Sequence, residues 1–344
     1  MAGRRPSSGQ TKSAGRFFKT LFLLAFLAGG GAAWLVLMPY APETVTLVNI
    51  APGSSTMAIG QKLEAAGVVR SGYAFDLVRV FWRRKLQAGV YRFDHPAPVL
   101  EVYAHIVHGD VATVTVTVPE GANLFDIAGR VEQAGLGTRD QFMAAAVSQV
   151  SLIADLDPRA ASLEGYLFPD TYKFPPNATP AQMVAVMVRR FRVVAAQLGL
   201  KQNLHRTVTL ASLVERETAV NAERPLVASV LDNRLAKNMP LSTDPSVIYG
   251  LELAGKWRGT IYASDLTRET PYNTYLHAGL PPGPVANPGI PSLRAAMNPA
   301  KTNYLYFVAA GTDAQGHSLF AETLDEHNRN VAEYRLAQKK AGER

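Results

Sequence analysis

Two glutamates, Glu215 and Glu217, interrupt the apolar run LASLVERETAV at residues 210–220. A carboxyl can donate a proton to a departing oxygen if it stays protonated near neutral pH, and withdrawal from water is what keeps it so. On a helix, Leu210, Leu213, Val214 and Glu217 fall at i, i+3, i+4 and i+7, which is one face. Glu217 thus continues the apolar stripe, while Glu215 shares a side with Ala211 and Ser212 and points elsewhere. The spacing predicts a desolvated Glu217 with a raised pKa, the condition of a general acid. A buried ion pair of Glu217 with Arg224 or Arg234 would fit the same periodicity without any chemistry.

Further candidates follow in the chain. In STDPSVIYGL, Asp244 precedes Pro245 and is expected to be extended or in a turn; it is the best second carboxylate, and Tyr249 follows it. In TPYNTYLHAGLPPGPVANPG, the run Tyr272, Asn273, Thr274 and Tyr275 offers ring faces, an amide and hydroxyls. Pyranose rings need that mixture, since their apolar faces stack on aromatics and their hydroxyls pair with amides. Prolines would hold such groups at low entropic cost. The other reading of this loop is tyrosines that merely cap a core. His105 and His108 form only an i, i+3 pair, and His95 stands apart, so a structural or surface role is expected and neither metal nor cofactor is called for. The chain has no cysteine, which excludes disulfide scaffolds, thiol catalysis and cysteine zinc sites.

The elements that must position these residues can be read in outline. A helix from Pro180 to about Leu198 precedes the glutamate helix, and another runs from about Ala222 to Lys237, burying Leu226, Val227, Val230, Leu231 and Leu235. A long stretch rich in Pro, Gly, Asn and Tyr follows. The chain closes with strand YLYFVAAG, turn TDAQGH, strand SLFAE, a polar helix from about Leu324 and a frayed QKKAGER. Upstream, SLEGYLFPDTYKFPPNATP reads as an ordered loop. LQAGVYRFDHPAPVLEVYAHIVHG reads as strand, turn and helix ending at Gly109, and VATVTVTVPEG alternates as a half-buried strand.

Two stretches look like copies of one another. VNIAPGSSTMAIGQKLEAAGVVRSGYAF begins at Val48 and VTVPEGANLFDIAGRVEQAGLGTRDQF at Val116. Gly53 matches Gly121, Ile59 matches Ile127, Leu63 matches Val131, Glu64 matches Glu132, and Gly67 matches Gly135. Each reads as a strand, a Gly turn, a helix stopped by Gly and the start of a second helix. The unit resembles a LysM-type module, a small fold that commonly binds N-acetylglucosamine polymers; a spacer without a sugar site is the alternative.

The N-terminus carries Arg4, Arg5, Lys12, Arg16 and Lys19, with no acidic residue before Glu43. The segment from Thr20 to Tyr40 is uncharged and about the length needed to span a hydrocarbon core. Its basic flank faces that end to the cytoplasm and leaves the rest outside. Cleavage after Gly31-Ala32-Ala33 would fall inside the apolar run, so an anchor is expected rather than a signal peptide. The net charge of +7 suits an acidic partner such as a membrane surface or anionic polymer, but no stretch resembles a nucleic-acid recognition element.

The expected class is therefore α+β: a basic tail (1–19), a transmembrane helix (20–40), LysM-like α/β repeats (41–150) and an α+β catalytic domain (151–344). Residues 210–251, the segment TPYNTYLHAGLPPGPVANPG, and the shorter AGVYRF, LEGYLFPDTY and MNPAKTNYLYFVA together resemble the endolytic murein transglycosylase (YceG-like) family. The resemblance is collinear and covers nearly the whole region after the anchor. It implies cleavage of peptidoglycan glycan strands within the chain, with the second glutamate of the E-x-E-T segment, Glu217, as the catalytic residue. It also implies 1,6-anhydro ends on the muramic residue, no cofactor, and glycan synthases in the membrane as partners. A peptidoglycan-binding scaffold without catalysis is the alternative.

Overall fold

The structure, a computed structural model, describes residues 10–311 and 316–342. Arg4, Arg5, most of the expected turn at 312–317 and the last two residues of the frayed end lie outside the described residues. Two compact units divide the chain, Met1–Thr113 with Pro175–Asn177 and Val114–Phe174 with Ala178–Arg344.

The first unit opens with helix α1 (Gln10–Leu37), whose stretch Arg16–Leu37 has a mean hydropathy of 2.1 and is long and apolar enough to cross a membrane. Then come β1 (Thr46–Ile50), α2 (Thr56–Ala65), α3 (Gly72–Phe81), β2 (Gly89–Phe93) and α4 (Val99–His108). β1 and β2 pair antiparallel, from Thr46 opposite Phe93 to Ile50 opposite Gly89. Their inward side chains, including Val48, Ile50 and Tyr91, pack with Leu63, Phe75 and Ile106 from the helices. α2 and α3 touch through bare backbone: a Cβ on Gly60 would lie 2.6 Å from the carbonyl oxygen of Gly72. Leu35 and Val36 of α1 pack against this core, and Arg70 donates to the Met38 carbonyl at 3.0 Å while lying over the rings of Trp34 and Tyr40.

The second unit begins with the same order: β3 (Val114–Val118), α5 (Leu124–Gln133), α6 (Arg139–Ser148) and, after a 3-10 turn, β4 (Asp170–Phe174), antiparallel to β3. Both copies are therefore strand–helix–helix–strand units. The matched glutamates do the same work in each. Glu64 accepts from the backbone N–H of Gly72 at 2.9 Å, and Glu132 from that of Arg139 at 3.3 Å. Each satisfies an orphan donor in the first turn of the helix that follows. β4 is a correction to the loop expected over this stretch. Its alternation puts Tyr172 and Phe174 inside, and it closes a unit whose first strand lies 52 residues earlier in register, Val118 opposite Asp170. Residue 150 thus lies between two elements of one pairing.

The remainder comprises α7 (Pro180–Leu198), α8 (Leu204–Glu217), α9 (Arg224–Ala236), α10 (Asp244–Leu253), α11 (Ala263–Leu266), α12 (Ile290–Met297), β5 (Tyr306–Ala309), β6 (Ser318–Ala321) and α13 (Leu324–Gly342). α7 starts where the capping box of Thr179 and Gln182 dictates and ends at Gly199 in the left-handed region. α8 packs against α9, α10 and α12, and every residue from Thr207 to Val214 is buried. It is a central helix that reaches solvent near its ends, at Arg206 and Arg216, and has no wet face between them, so the periodicity does not separate a dry side from a wet one there.

The stretch after Lys237 that is rich in Pro, Gly, Asn and Tyr holds three helices. Pro245 and Pro291 sit in the first turns of α10 and α12, where the missing N–H costs nothing. Asp244 is accordingly the first helical residue and not an extended one. The pre-proline clash is a preference, and a carboxylate beside the positive end of a helix offsets it.

Candidate functional site

Glu217 is the last residue of α8, with Thr218 capping it in an extended conformation. Thr218 then folds the chain away, its hydroxyl accepting from Val220 N–H at 3.0 Å. A carboxylate at a helix C-terminus faces the unsatisfied carbonyls, an environment that disfavours negative charge. Burial pushes the Glu217 carboxyl up to about 7, the charge of Asp244 raises it further, and Arg234 works against both. At pH 7 about half of such groups hold a proton, against about 0.3% of ordinary glutamates.

Three other groups share its field. Asp244, at the start of α10, accepts from the hydroxyl of Tyr275 at 2.7 Å. Burial and that carboxylate raise the Tyr275 pKa, and both Glu217 and Arg234 act on it as well. Arg234, in the last turn of α9, is held by carbonyls: Nε donates to Leu305 at 2.7 Å, and Nη1 to Leu241 at 2.9 Å and Pro240 at 3.3 Å. Its guanidinium lies 5.3 Å from the centre of the Tyr306 ring. Burial lowers its pKa. The ends of α8 and α9, the start of α10 and the Tyr272–Tyr275 loop thus gather Glu217, Arg234, Asp244 and Tyr275.

Asn273 and Thr274 are fully buried, and their polar atoms are used inside the protein. Asn273 Nδ2 donates to the carbonyls of Leu266 at 3.0 Å and Arg268 at 2.8 Å, and its Oδ1 accepts from Tyr275 N–H at 3.0 Å. Thr274 Oγ1 accepts from Thr243 N–H at 3.0 Å and bonds Ser246 Oγ at 2.8 Å. Ser242, at φ 51°, makes the left-handed step that brings its N–H to the Thr274 carbonyl at 3.1 Å. These contacts fix Tyr275 and the first turn of α10 to each other.

Tyr249 and Tyr272 join a different cluster. Their rings meet edge to face at 5.0 Å, and Tyr249 hydrogen-bonds Glu164. Glu164 is buried, accepts from Leu124 N–H at 2.9 Å and from Asn287 Nδ2 at 3.0 Å, and is pushed up to about 8 by desolvation.

Glu215 is where periodicity misled most. It points away from Glu217, as expected, but into another buried contact: Oε1 lies 2.7 Å from Arg224 Nη1, with side-chain exposures of 4% and 6%. Oε2 accepts from Gly289 N–H at 2.9 Å, and Arg224 also binds Asn221 Oδ1 at 2.9 Å and Ser292 Oγ. Arg224, offered as a possible partner of Glu217, belongs to Glu215. Arg234, the other arginine that the periodicity allowed, does act on Glu217 through its charge, although its own hydrogen bonds go to backbone carbonyls and not to the carboxyl.

A sequence model of the YceG-like family matches residues 48–333. The chain belongs to the YceG-like family. All four gathered residues lie in the matched span. The endolytic murein transglycosylase of Bacillus subtilis strain 168 is 34% identical over 313 residues, covering 85% of each chain. The endolytic murein transglycosylase of Streptococcus pneumoniae strain R6 is 30% identical over 91% of this chain, which spans 64% of that longer protein. Among solved structures, a yceG-like protein from Listeria monocytogenes aligns with a TM-score of 0.56 and 31% identity, over 83% of this chain and 98% of that one. The YceG-like fold therefore extends over most of both chains.

Proposed function

We propose that this protein is an endolytic murein transglycosylase, anchored in the membrane by α1, with Glu217 as its general acid. The observation that carries the reading is a partly buried carboxyl at a helix end, pushed up to about 7 by desolvation and by the charge of Asp244 against that of Arg234, in a chain of the YceG-like family. Its proton goes to the oxygen between N-acetylmuramic acid and N-acetylglucosamine. The carboxylate then accepts the proton of the muramic C6 hydroxyl, which attacks C1 of the same residue and gives a 1,6-anhydro end. No water enters, so no second carboxylate is required as nucleophile or base. Arg234 stabilises Glu217 in its ionised phase, and Asp244 returns it to the protonated one. Asp244 and Tyr275 present the polar surface for the sugar, while Asn273 and Thr274 position it from behind.

The N-terminus lies in the cytoplasm and the remainder outside, with the membrane-bound glycan synthases as partners. The two strand–helix–helix–strand units are LysM-like, and glycan binding by them would hold the strand near the catalytic unit.

The test is incubation of the full chain in detergent with uncrosslinked glycan strands, followed by mass spectrometry of the ends. The expected products are 1,6-anhydro ends from cuts within the strand, with a loss of at least about a hundredfold in rate for Glu217→Gln. Reducing ends would refute the intramolecular mechanism, full activity of Glu217→Gln would refute the acid, and binding without cleavage would favour the scaffold.

A further inference from the structure

The exposed face of α3 has no assigned task. Tyr73, Leu77, Val80, Phe81 and Trp82 stand out of the first unit, with Tyr73 76%, Phe81 72% and Trp82 53% exposed. Monomeric soluble proteins seldom leave a contiguous run of large apolar and aromatic side chains in water without a use for it. Directly after it come Arg83, Arg84 and Lys85, all exposed. From Ser71 to Gly89 there are four basic residues and a single acidic one, Asp76. Aromatic rings with arginine and lysine beside them are the composition of a segment that lies in a bilayer interface, rings at the headgroup level and cations on the phosphates.

The location of the patch agrees with its composition. α1 packs against α3 and α4 within this unit, with Leu35 and Val36 against its core. Those two residues belong to the last turn of the apolar stretch Arg16–Leu37. That stretch, 22 residues long, measures about 33 Å as a helix, the thickness of a hydrocarbon core with almost nothing to spare. An element that touches its last turns is therefore held at the membrane boundary. α3 is further tied there by Arg70, two residues before its start, which donates to the Met38 carbonyl and covers Trp34 and Tyr40. A depression of about 450 Å³ between the end of α3 and α4 adjoins the patch, with apolar walls from Trp82, Leu100, Tyr103 and Val107 beside Arg84 and His108.

We infer that the α3 face from Tyr73 to Trp82, with Arg83, Arg84 and Lys85, lies on the leaflet of anionic phospholipid through which α1 emerges. The first unit is then a membrane-seated collar and not a freely swinging stalk. This inference rests on the reading of α1 as a spanning anchor, and the experiment separates the two. The chain has three tryptophans, Trp34, Trp82 and Trp257. Full chain carrying Trp34→Phe and Trp257→Phe reports Trp82 alone; full chain carrying Trp82→Phe and Trp257→Phe reports Trp34 alone. Each is reconstituted in vesicles of phosphatidylglycerol and phosphatidylcholine, with and without acyl chains brominated near the headgroup.

Both tryptophans are expected to be quenched, Trp82 by about twofold or more, with Trp82 quenching reduced when Arg83, Arg84 and Lys85 are all changed to Glu or when phosphatidylglycerol is omitted. Quenching of Trp34 with none of Trp82 would overturn the collar and leave the anchor intact, pointing to a protein as occupant of the α3 face. Absence of quenching for both would overturn the anchor itself. Trp82 quenching indifferent to the basic triplet and to lipid charge would overturn the role given to anionic lipid.

Discussion

Glu217→Gln is expected to make the protein more stable in mild alkali even as it stops catalysis. A carboxyl whose pKa is raised by folding binds its proton more tightly in the native state than in the unfolded one. The stability linked to that proton is complete below the unfolded value, near 4.5, and is lost as pH rises through the folded value, about 7. At about 1.4 kcal/mol per tenfold difference in proton affinity, the loss is about 3 kcal/mol above pH 8 and about 1 kcal/mol at pH 5. Glutamine keeps the shape and cannot ionise, so it removes the pH-dependent penalty. The buried Glu164 and the partly buried Glu252, pushed up to about 8 and about 7, contribute equally to both proteins and cancel. Urea unfolding of wild type and variant should show a stability gap that widens from about 1 kcal/mol at pH 5 to about 3 kcal/mol at pH 8, or roughly 6–12 °C in melting temperature. A gap of the same size at both pH values, or a variant less stable than wild type at pH 8, would refute a Glu217 held protonated by burial.

With Glu217 as the proposed general acid, kcat/KM should fall above a pH of about 7. Asp244→Asn, which removes a charge that raises Glu217, should move that fall to lower pH, and Arg234→Met should move it higher, as read from rate profiles on glycan strands. Arg224→Met leaves Glu215 buried without its partner and should cost about 3–5 kcal/mol in denaturant unfolding, whereas adding Glu215→Leu should recover part of that loss. Asn273→Ala strands the carbonyls of Leu266 and Arg268 and should cost about 1–3 kcal/mol, measurable in the same unfolding assay.

What was legible in the sequence follows physical lines. α7 was readable at both ends because Thr179, Pro180 and Gln182 start it and Gly199 stops it, all local chemistry. The repeat was readable because Gly53 and Gly121, at φ 78° and 77°, serve the same turn in each copy. Glu217 was singled out because it continues an apolar face. The surroundings of α8 were not legible. With Thr207 to Val214 buried on all sides, a 3.6-residue period cannot tell a wet side from a dry one, and the partner of Glu215 depends on packing against α9 and α12. Asn273 and Thr274 read as candidate sugar contacts because an amide and a hydroxyl do not reveal whether their partners are groups of the protein, such as the carbonyls of Leu266 and Arg268 or the N–H of Thr243, or a ligand. β4 was hidden in an aromatic, proline-rich stretch whose alternation gains meaning only beside its partner strand.

Arg234 has a further consequence for how its surroundings are completed as the chain folds. Its Nε is tied to the Leu305 carbonyl, and the neighbouring Asn233 binds the carbonyls of Thr302 and Tyr304 at 2.8 and 3.0 Å. These acceptors lie 69 to 71 residues further along the chain than the side chains they hold. The cation that acts on Glu217 is therefore aimed by a segment that folds back from far along the chain, and its placement is completed by tertiary closure and not by the neighbouring helices alone.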